Sequence, residues 1–361
     1  MGSDRVLSVL IAICGAFLTA SAHGQEAEAH APGGAALDWM EKAYGDGRHN
    51  AFTDLIRWNG MYYLCFRHGE AHGSMDGVIR VMRSPDMRTW ESCGQLATLG
   101  DDRDPHFALA GDTLHVYFGV WSLVHYPGPN TPDRGAVRSH FATTTDGKTW
   151  SKVQGVYEPG FWLWRVEYHD GRFYSAAYTA VRPRPTRREV RLLASVNGLD
   201  WDFVSLVANE HMAGETGMWW QGDGSLRMIT RTNDRELGAI LSSSDPELTL
   251  WRNQTTGVTV HAPAMARWQN RVFVGGRGYD GNSAVTKLWE VIGDDIVERI
   301  TLPSGGDTSY PGLAVDPATA GAEAPSLFVS WYSQHENDGN PAADKHTANI
   351  YVGRVTMPKT P

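Results

Sequence analysis

The chain has 361 residues, 42% of them hydrophobic, which suffices for one large domain or two ordinary ones. A formal net charge of −9 with no long basic run argues against the electrostatic footprint of a nucleic-acid binder. The densest cationic patch, Arg182, Arg184, Arg187 and Arg188 interleaved with Pro183 and Pro185, reads as a solvated loop.

At the N-terminus, Arg5 precedes an apolar run from Val6 to Leu18 and a small-residue pattern, Ala20-Ser21-Ala22. The run is shorter than the ~20 apolar residues of a spanning helix, so residues 1–22 are expected to be a signal peptide. The mature protein is then exported, to the periplasm or the extracellular space, with no membrane partner after cleavage. Cys14 leaves with that peptide; Cys65 and Cys93 remain, and whether they pair is open. The chain has no HExxH, CxxC pair, P-loop or dinucleotide fingerprint, so no cofactor and no metal is expected.

Residues 23–47 read as an N-terminal segment, and residues 48–358 as a single repeat-built domain. Four versions of one short pattern recur: SPDMRTW (Ser84 to Trp90), TTDGKTW (Thr144 to Trp150), SVNGLDW (Ser195 to Trp201) and SSDPELTLW (Ser243 to Trp251). Their tryptophans fall 60, 51 and 50 residues apart, about the length of a four-stranded propeller blade. In each, Asp or Asn with a following Gly or Pro makes a turn, and the Trp returns to pack between sheets.

A hairpin of alternating apolar residues precedes each pattern, beginning with AFTDLIRWNGMYYLCFR, and two more follow the last. Six hairpins with period-2 patterning predict an all-β, six-bladed propeller, with five or seven blades as the alternatives. In such a disc the start of each innermost strand and the end of the second strand meet beside the axis. That geometry sends His49, Asp104, Arg165, Glu215, His261 and Tyr310 from strand starts toward one funnel. Arg67, His68, Arg231, Arg277, His335 and Glu336 join them from second-strand ends. Converging Arg, His, Glu and Tyr side chains must be paired or used, which makes the funnel the candidate site. Arg231 and Arg277 each stand 16 residues after an inner-strand start and form a fork suited to a carboxylate. An oligosaccharide or polysaccharide carrying an acidic sugar is the expected partner. Trp162, Trp164, Trp219 and Trp220 read as filling between blades, and the loop from Trp121 to Arg134 as a wall that restricts the funnel to chain ends.

The four Trp-terminated patterns resemble the Asp boxes, or BNR repeats, of the sialidase superfamily, and the resemblance implies the sialidase type of propeller. Glu215, Arg231, Arg277 and Tyr310 are similar in order and spacing to the Glu, two carboxylate-binding arginines and nucleophilic Tyr of sialidases. Carried over, Tyr310 is the nucleophile and Glu215 its activator, an exception to the two-carboxylate glycosidase scheme. Blade one departs from that family: HNAFTDL replaces the Arg-Ile-Pro opening, and Arg67-His68 stands where the general acid would be. HNAFTDL and LPSGGDTSYPGL also look like a group of exported bacterial sialidase-like proteins. His49 and His68 resemble the paired histidines of propeller polysaccharide lyases acting on ulvan, with a Tyr such as Tyr126 or Tyr310 as a further proton donor. The leading expectation is therefore an exo-acting glycoside hydrolase for an acidic sugar. A uronate-specific lyase using the paired histidines comes second, and a non-catalytic glycan-binding propeller third.

Overall fold

The computed structural model describes residues 34–122, 137–180, 187–337 and 346–359. The expected signal peptide, Tyr126, most of the 121–134 loop and Arg182 and Arg184 lie outside the described residues. Strands run β1 (Ala36–Tyr44), β2 (His49–Trp58), β3 (Met61–Gly69), β4 (Val78–Ser84), β5 (Glu91–Leu96), β6 (Asp101–Ala110), β7 (Thr113–Trp121), β8 (Val137–Thr144) and β9 (Gln154–Val156). They continue as β10 (Phe161–His169), β11 (Arg172–Thr179), β12 (Val190–Ser195), β13 (Asp202–Ala208), β14 (Thr216–Trp220), β15 (Leu226–Thr230), β16 (Ile240–Ser244) and β17 (Trp251–Thr255). The last are β18 (His261–Trp268), β19 (Arg271–Asp280), β20 (Ser283–Ile292), β21 (Asp295–Leu302), β22 (Ser309–Val315), β23 (Ser326–Ser333) and β24 (Asn349–Thr356). Among the described residues the helical elements are two 3-10 turns, Pro317–Thr319 and His335–Asn337.

These strands form six four-stranded antiparallel sheets, and the protein is a six-bladed β-propeller. Five blades take consecutive strands, β2 to β5 through β18 to β21. The sixth is ordered β22-β23-β24-β1, so the first strand supplies the outer edge of the last blade, from Ala36 opposite Thr356 to Tyr44 opposite Ile350. This corrects the domain boundary expected at residue 48: Ala36–Tyr44 belongs to the propeller. Its sequence, ALDWMEKAY, is a mixed run that leaves every residue exposed or half-buried, and its partner strand lies far along the chain.

The local chemistry agrees with the architecture. Hairpin reversals at Asn59-Gly60 and Asp170-Gly171 hold both residues at positive φ, the conformation that Asn, Asp and Gly accept in tight β-turns. The Trp-terminated patterns join the third and fourth strands of blades one to four. Their acidic or amide oxygen accepts backbone N–H groups ahead of it, as when Asp146 Oδ1 accepts from Lys148 (2.8 Å) and Thr149 (2.7 Å). Some of the tryptophans then bond to the preceding blade, Trp150 Nε1 to Cys93 O (3.1 Å) and Trp251 Nε1 to Ser205 Oγ (2.9 Å). The core lies between blades: Tyr63, Cys65 and Val81 of the first pack on Leu114, Val116 and Phe118 of the second. Cys65 and Cys93 are free thiols, on strands separated by β4, and burial raises both above the ordinary thiol range, Cys93 to about 11.

Five of the six inner strands carry a β-bulge near the axis. Positive φ occurs in each: at Phe52 in β2, Asp104 in β6, Arg165 in β10, Ala262 in β18, and Ser309 and Tyr310 in β22. A bulge re-aims side chains and is over-represented beside active sites. Next to this ring the backbones of the first and sixth blades approach closely. A Cβ on Gly312 would lie 2.2 Å from the Leu55 backbone nitrogen. Gly312→Ala is therefore expected to destabilise the fold by about 3 kcal/mol, read as a lower urea midpoint at unchanged m. An unaltered midpoint would show that the two strands can part without cost.

Candidate active site

A cavity of about 620 Å³ opens at the axis, lined by His72, Arg103, Asp104, Trp121, Trp162, Tyr178, Arg188, Glu215, Arg231, Arg277 and Tyr310 among others. The bulges of β6 and β22 bring Asp104 and Tyr310 into it. Glu215 arrives from the residue before β14, Arg231 from the residue after β15, and Arg277 from β19.

Tyr310 Oη donates to Glu215 Oε1 at 2.8 Å. Arg231 Nη1 reaches both Glu215 oxygens, at 2.8 and 2.9 Å, and Tyr310 Oη at 3.2 Å. The N–H of Ala262 supplies a further bond to Glu215 Oε2 at 2.9 Å. Burial works against the charge on Glu215, but the Arg231 guanidinium and its hydrogen bond outweigh it and hold the carboxyl down at about 2. Burial and the Glu215 charge push Tyr310 well above the usual phenol range, so its oxygen is neutral at rest. A neutral nucleophile hydrogen-bonded to an ionised base is the pairing that nucleophilic catalysis by a tyrosine needs.

Arg277 spends Nε and Nη2 on Thr308 O, Asp307 Oδ1 and Tyr332 Oη, and its guanidinium lies 5.2 Å over the Tyr310 ring. Its Nη1 and the Nη2 of Arg231 have no partner in the described hydrogen bonds, and both side chains line the cavity. Arg103 adds another guanidinium, stacked 4.7 Å over Phe52 and 5.6 Å over Trp121. Sequence reasoning passed over Arg103, although it directly precedes Asp104 at an inner-strand start. Asp104 is only 8% exposed, and its Oδ1 has no hydrogen-bond partner. Burial, opposed by Arg103 and reinforced by the Glu215 charge, pushes its carboxyl up to about 6.

The remaining expectations divide. His49 and His68 do not converge. The β2–β3 register sets His49 opposite Gly69 and His68 opposite Asn50, so with period 2 their side chains leave opposite faces of the sheet. His68 Nε2 meets Asp46 Oδ2 at 2.8 Å, whereas His49 Nε2 lies 3.0 Å from Asp307 Oδ2. Arg67 is fully enclosed and holds Asp101 (2.7 Å), Ala71 O (2.8 Å) and Ser74, so it anchors the following loop instead of facing a ligand. Arg165 turns at its bulge to Asp54 Oδ1 and Pro311 O, both 2.7 Å, bracing three blades beside a separate cavity of about 200 Å³. His335 packs 4.3 Å from the Tyr351 ring, and Glu336 pairs with Lys42 of β1, so both turn toward the outer strands of the last blade. His261 is buried behind Glu215 and kept neutral, lowered to about 3 by burial and then by Arg231. Trp164 and Trp219 fill space as expected, while Trp162, also buried, contributes to the cavity wall with Tyr178.

No protein-family model matches the chain, and no curated protein does. Among solved structures it is similar to a protein of unknown function from Dyadobacter fermentans, at 18% identity and a TM-score of 0.71 over 91% of this chain and all of the other. The fold is that of a sialidase-like propeller. Trypanosoma rangeli sialidase in complex with sialic acid superposes with a TM-score of 0.57 at 10% identity, over 86% of this chain and 54% of that one. The endosialidase of phage phi92 gives 0.60 at 11%, over 89% and 69%. The chain thus spans about half the length of the T. rangeli enzyme.

Proposed function

We propose that the protein is an exo-acting glycoside hydrolase for an acidic sugar, exported by the segment at residues 1–22. The observation that carries this reading is the Tyr310–Glu215 hydrogen bond of 2.8 Å, set among arginines in one axial cavity. Arg231 and Arg277 receive the sugar carboxylate through their free guanidinium ends, assisted by Arg103. Asp104, not assigned this role from the sequence, protonates the leaving glycosidic oxygen. Tyr310 Oη attacks the anomeric carbon as its proton passes to Glu215, giving a tyrosyl glycoside. Asp104, now ionised, then takes a proton from water, which displaces Tyr310; the phenolate recovers its proton from Glu215, and configuration is retained.

The test is release of reducing ends from a panel of sialosides and uronate-terminated oligosaccharides, with ultraviolet absorbance of unsaturated uronate followed in parallel. New ends without absorbance support hydrolysis; absorbance rising with each cut would make the protein a lyase. Asp104 gives the pH dependence its sign. Its carboxyl is raised to about 6, so the acid form exists below that value and activity is expected to fall as pH rises through it. Asp104→Asn should remove this limb and lower kcat/KM on natural substrates by roughly 10²- to 10⁴-fold, with far less effect on kcat/KM for a nitrophenyl glycoside, whose leaving group needs no proton. Equal losses on both substrates would take the acid role away from Asp104.

A further inference from the structure

We infer that His49, His72 and Asp307 form a binding site for one divalent transition-metal ion of the zinc type, open to the axial cavity. His49 Nε2 and His72 Nδ1 lie 3.0 and 2.6 Å from the same oxygen, Asp307 Oδ2. The three ligand atoms all fall within 4.8 Å of one another. Ligands at about 2.0–2.2 Å from a shared ion require a separation of this order, reached by opening the cluster slightly. Two imidazole nitrogens and one carboxylate oxygen suit zinc and its late first-row neighbours; calcium and magnesium take all-oxygen shells.

The surroundings hold the ligands in place. Asp307 Oδ1 accepts from Tyr332 Oη at 2.7 Å and Arg277 Nη2 at 3.2 Å, which turns Oδ2 toward the two imidazoles. The Asp307 backbone N–H donates to Gln334 Oε1 at 2.7 Å. His49 is 1% exposed, its ring set between Phe52 and Tyr332. Outer contacts of this kind orient metal ligands. His72 supplies the way in: its side chain is 55% exposed, and it belongs to the cavity wall. Three protein ligands leave at least one coordination position for water or another ligand, with His72 placing the cluster at the edge of the cavity. The sequence could not show the site, because its ligands come from an inner-strand start, the loop after β3 and the loop before β22.

The test uses tag-free protein stripped with chelator and titrated with zinc chloride in a calorimeter, with cobalt(II) as a visible-absorption probe. One equivalent is expected to bind, with ligand-field bands for cobalt. His72→Ala, at an exposed position, should weaken zinc at least ~100-fold with an unchanged circular dichroism spectrum. Tyr332→Phe should weaken it about 10-fold, and His68→Ala should leave it unchanged. Absence of saturable one-equivalent binding, or equal binding by His72→Ala, overturns the site. Because the readout needs no sugar, a protein that binds zinc but hydrolyses nothing would overturn the hydrolase reading alone.

Discussion

Tyr310→Phe is expected to lower kcat on an acidic glycoside by at least roughly 10³-fold while moving KM only a few-fold. The side chain is half-buried, its ring 5.0 Å from Phe52 and 5.8 Å from Trp164, with the Arg277 guanidinium above it. Phenylalanine keeps all of that packing and removes one atom, the oxygen that donates to Glu215 and accepts from Arg231. Glu215 retains Arg231 and the Ala262 N–H, so neither charge is stranded and the melting temperature should barely change. The substrate carboxylate still finds its arginines, which is why KM is spared. A variant with wild-type turnover would remove Tyr310 from the chemistry and leave the Glu215–Arg231 pair with a structural role.

Arg67→Met should produce the largest loss of stability, about 3–5 kcal/mol, seen as a Tm lower by roughly 5–10 °C. The guanidinium is fully buried and the Asp101 carboxylate nearly so, with Nε and Oδ1 2.7 Å apart. Removing one member leaves the buried Asp101 carboxylate with only the longer contact to Arg103 Nη1 (3.4 Å), and a methionine of similar length cannot hold the carbonyls of Ala71 and Ser74. Arg67 does not line the cavity, so sugar binding should weaken only as far as the protein unfolds. A stable variant with weakened sugar binding would return Arg67 to the ligand-contacting role its sequence position suggested.

Six hairpins, four Trp-terminated turns and the order Glu215, Arg231, Arg277, Tyr310 were legible because each rests on period-2 patterning or fixed spacing. The rule that strand ends face the axis chose the right neighbourhood and then misdirected individual side chains. It ignores which face a residue occupies, and so paired His49 with His68. It also cannot foresee a bulge, which inserts one residue and changes where the next side chain points: Arg165, expected in the funnel, was sent to its brace by that means. His72 escaped notice because it lies in a loop, joined to Asp307 by nothing local. The outer strand β1 was missed for a related reason, its partner being the last strand of the chain.

That partnership orders events in time. β1 precedes the other described strands in the chain, and β24, the strand it pairs with, follows them all. Until β24 emerges, the ring is open, β1 has no partner, and β24's place beside β23 is vacant. Pairing between chain ends is a slow contact to form, and an unpaired strand is a template for the wrong neighbour. The interval between translation and closure is therefore when this protein is most exposed to pairing with another copy of itself, and a ribosome-stalled or truncated chain lacking β24 would inherit that exposure permanently.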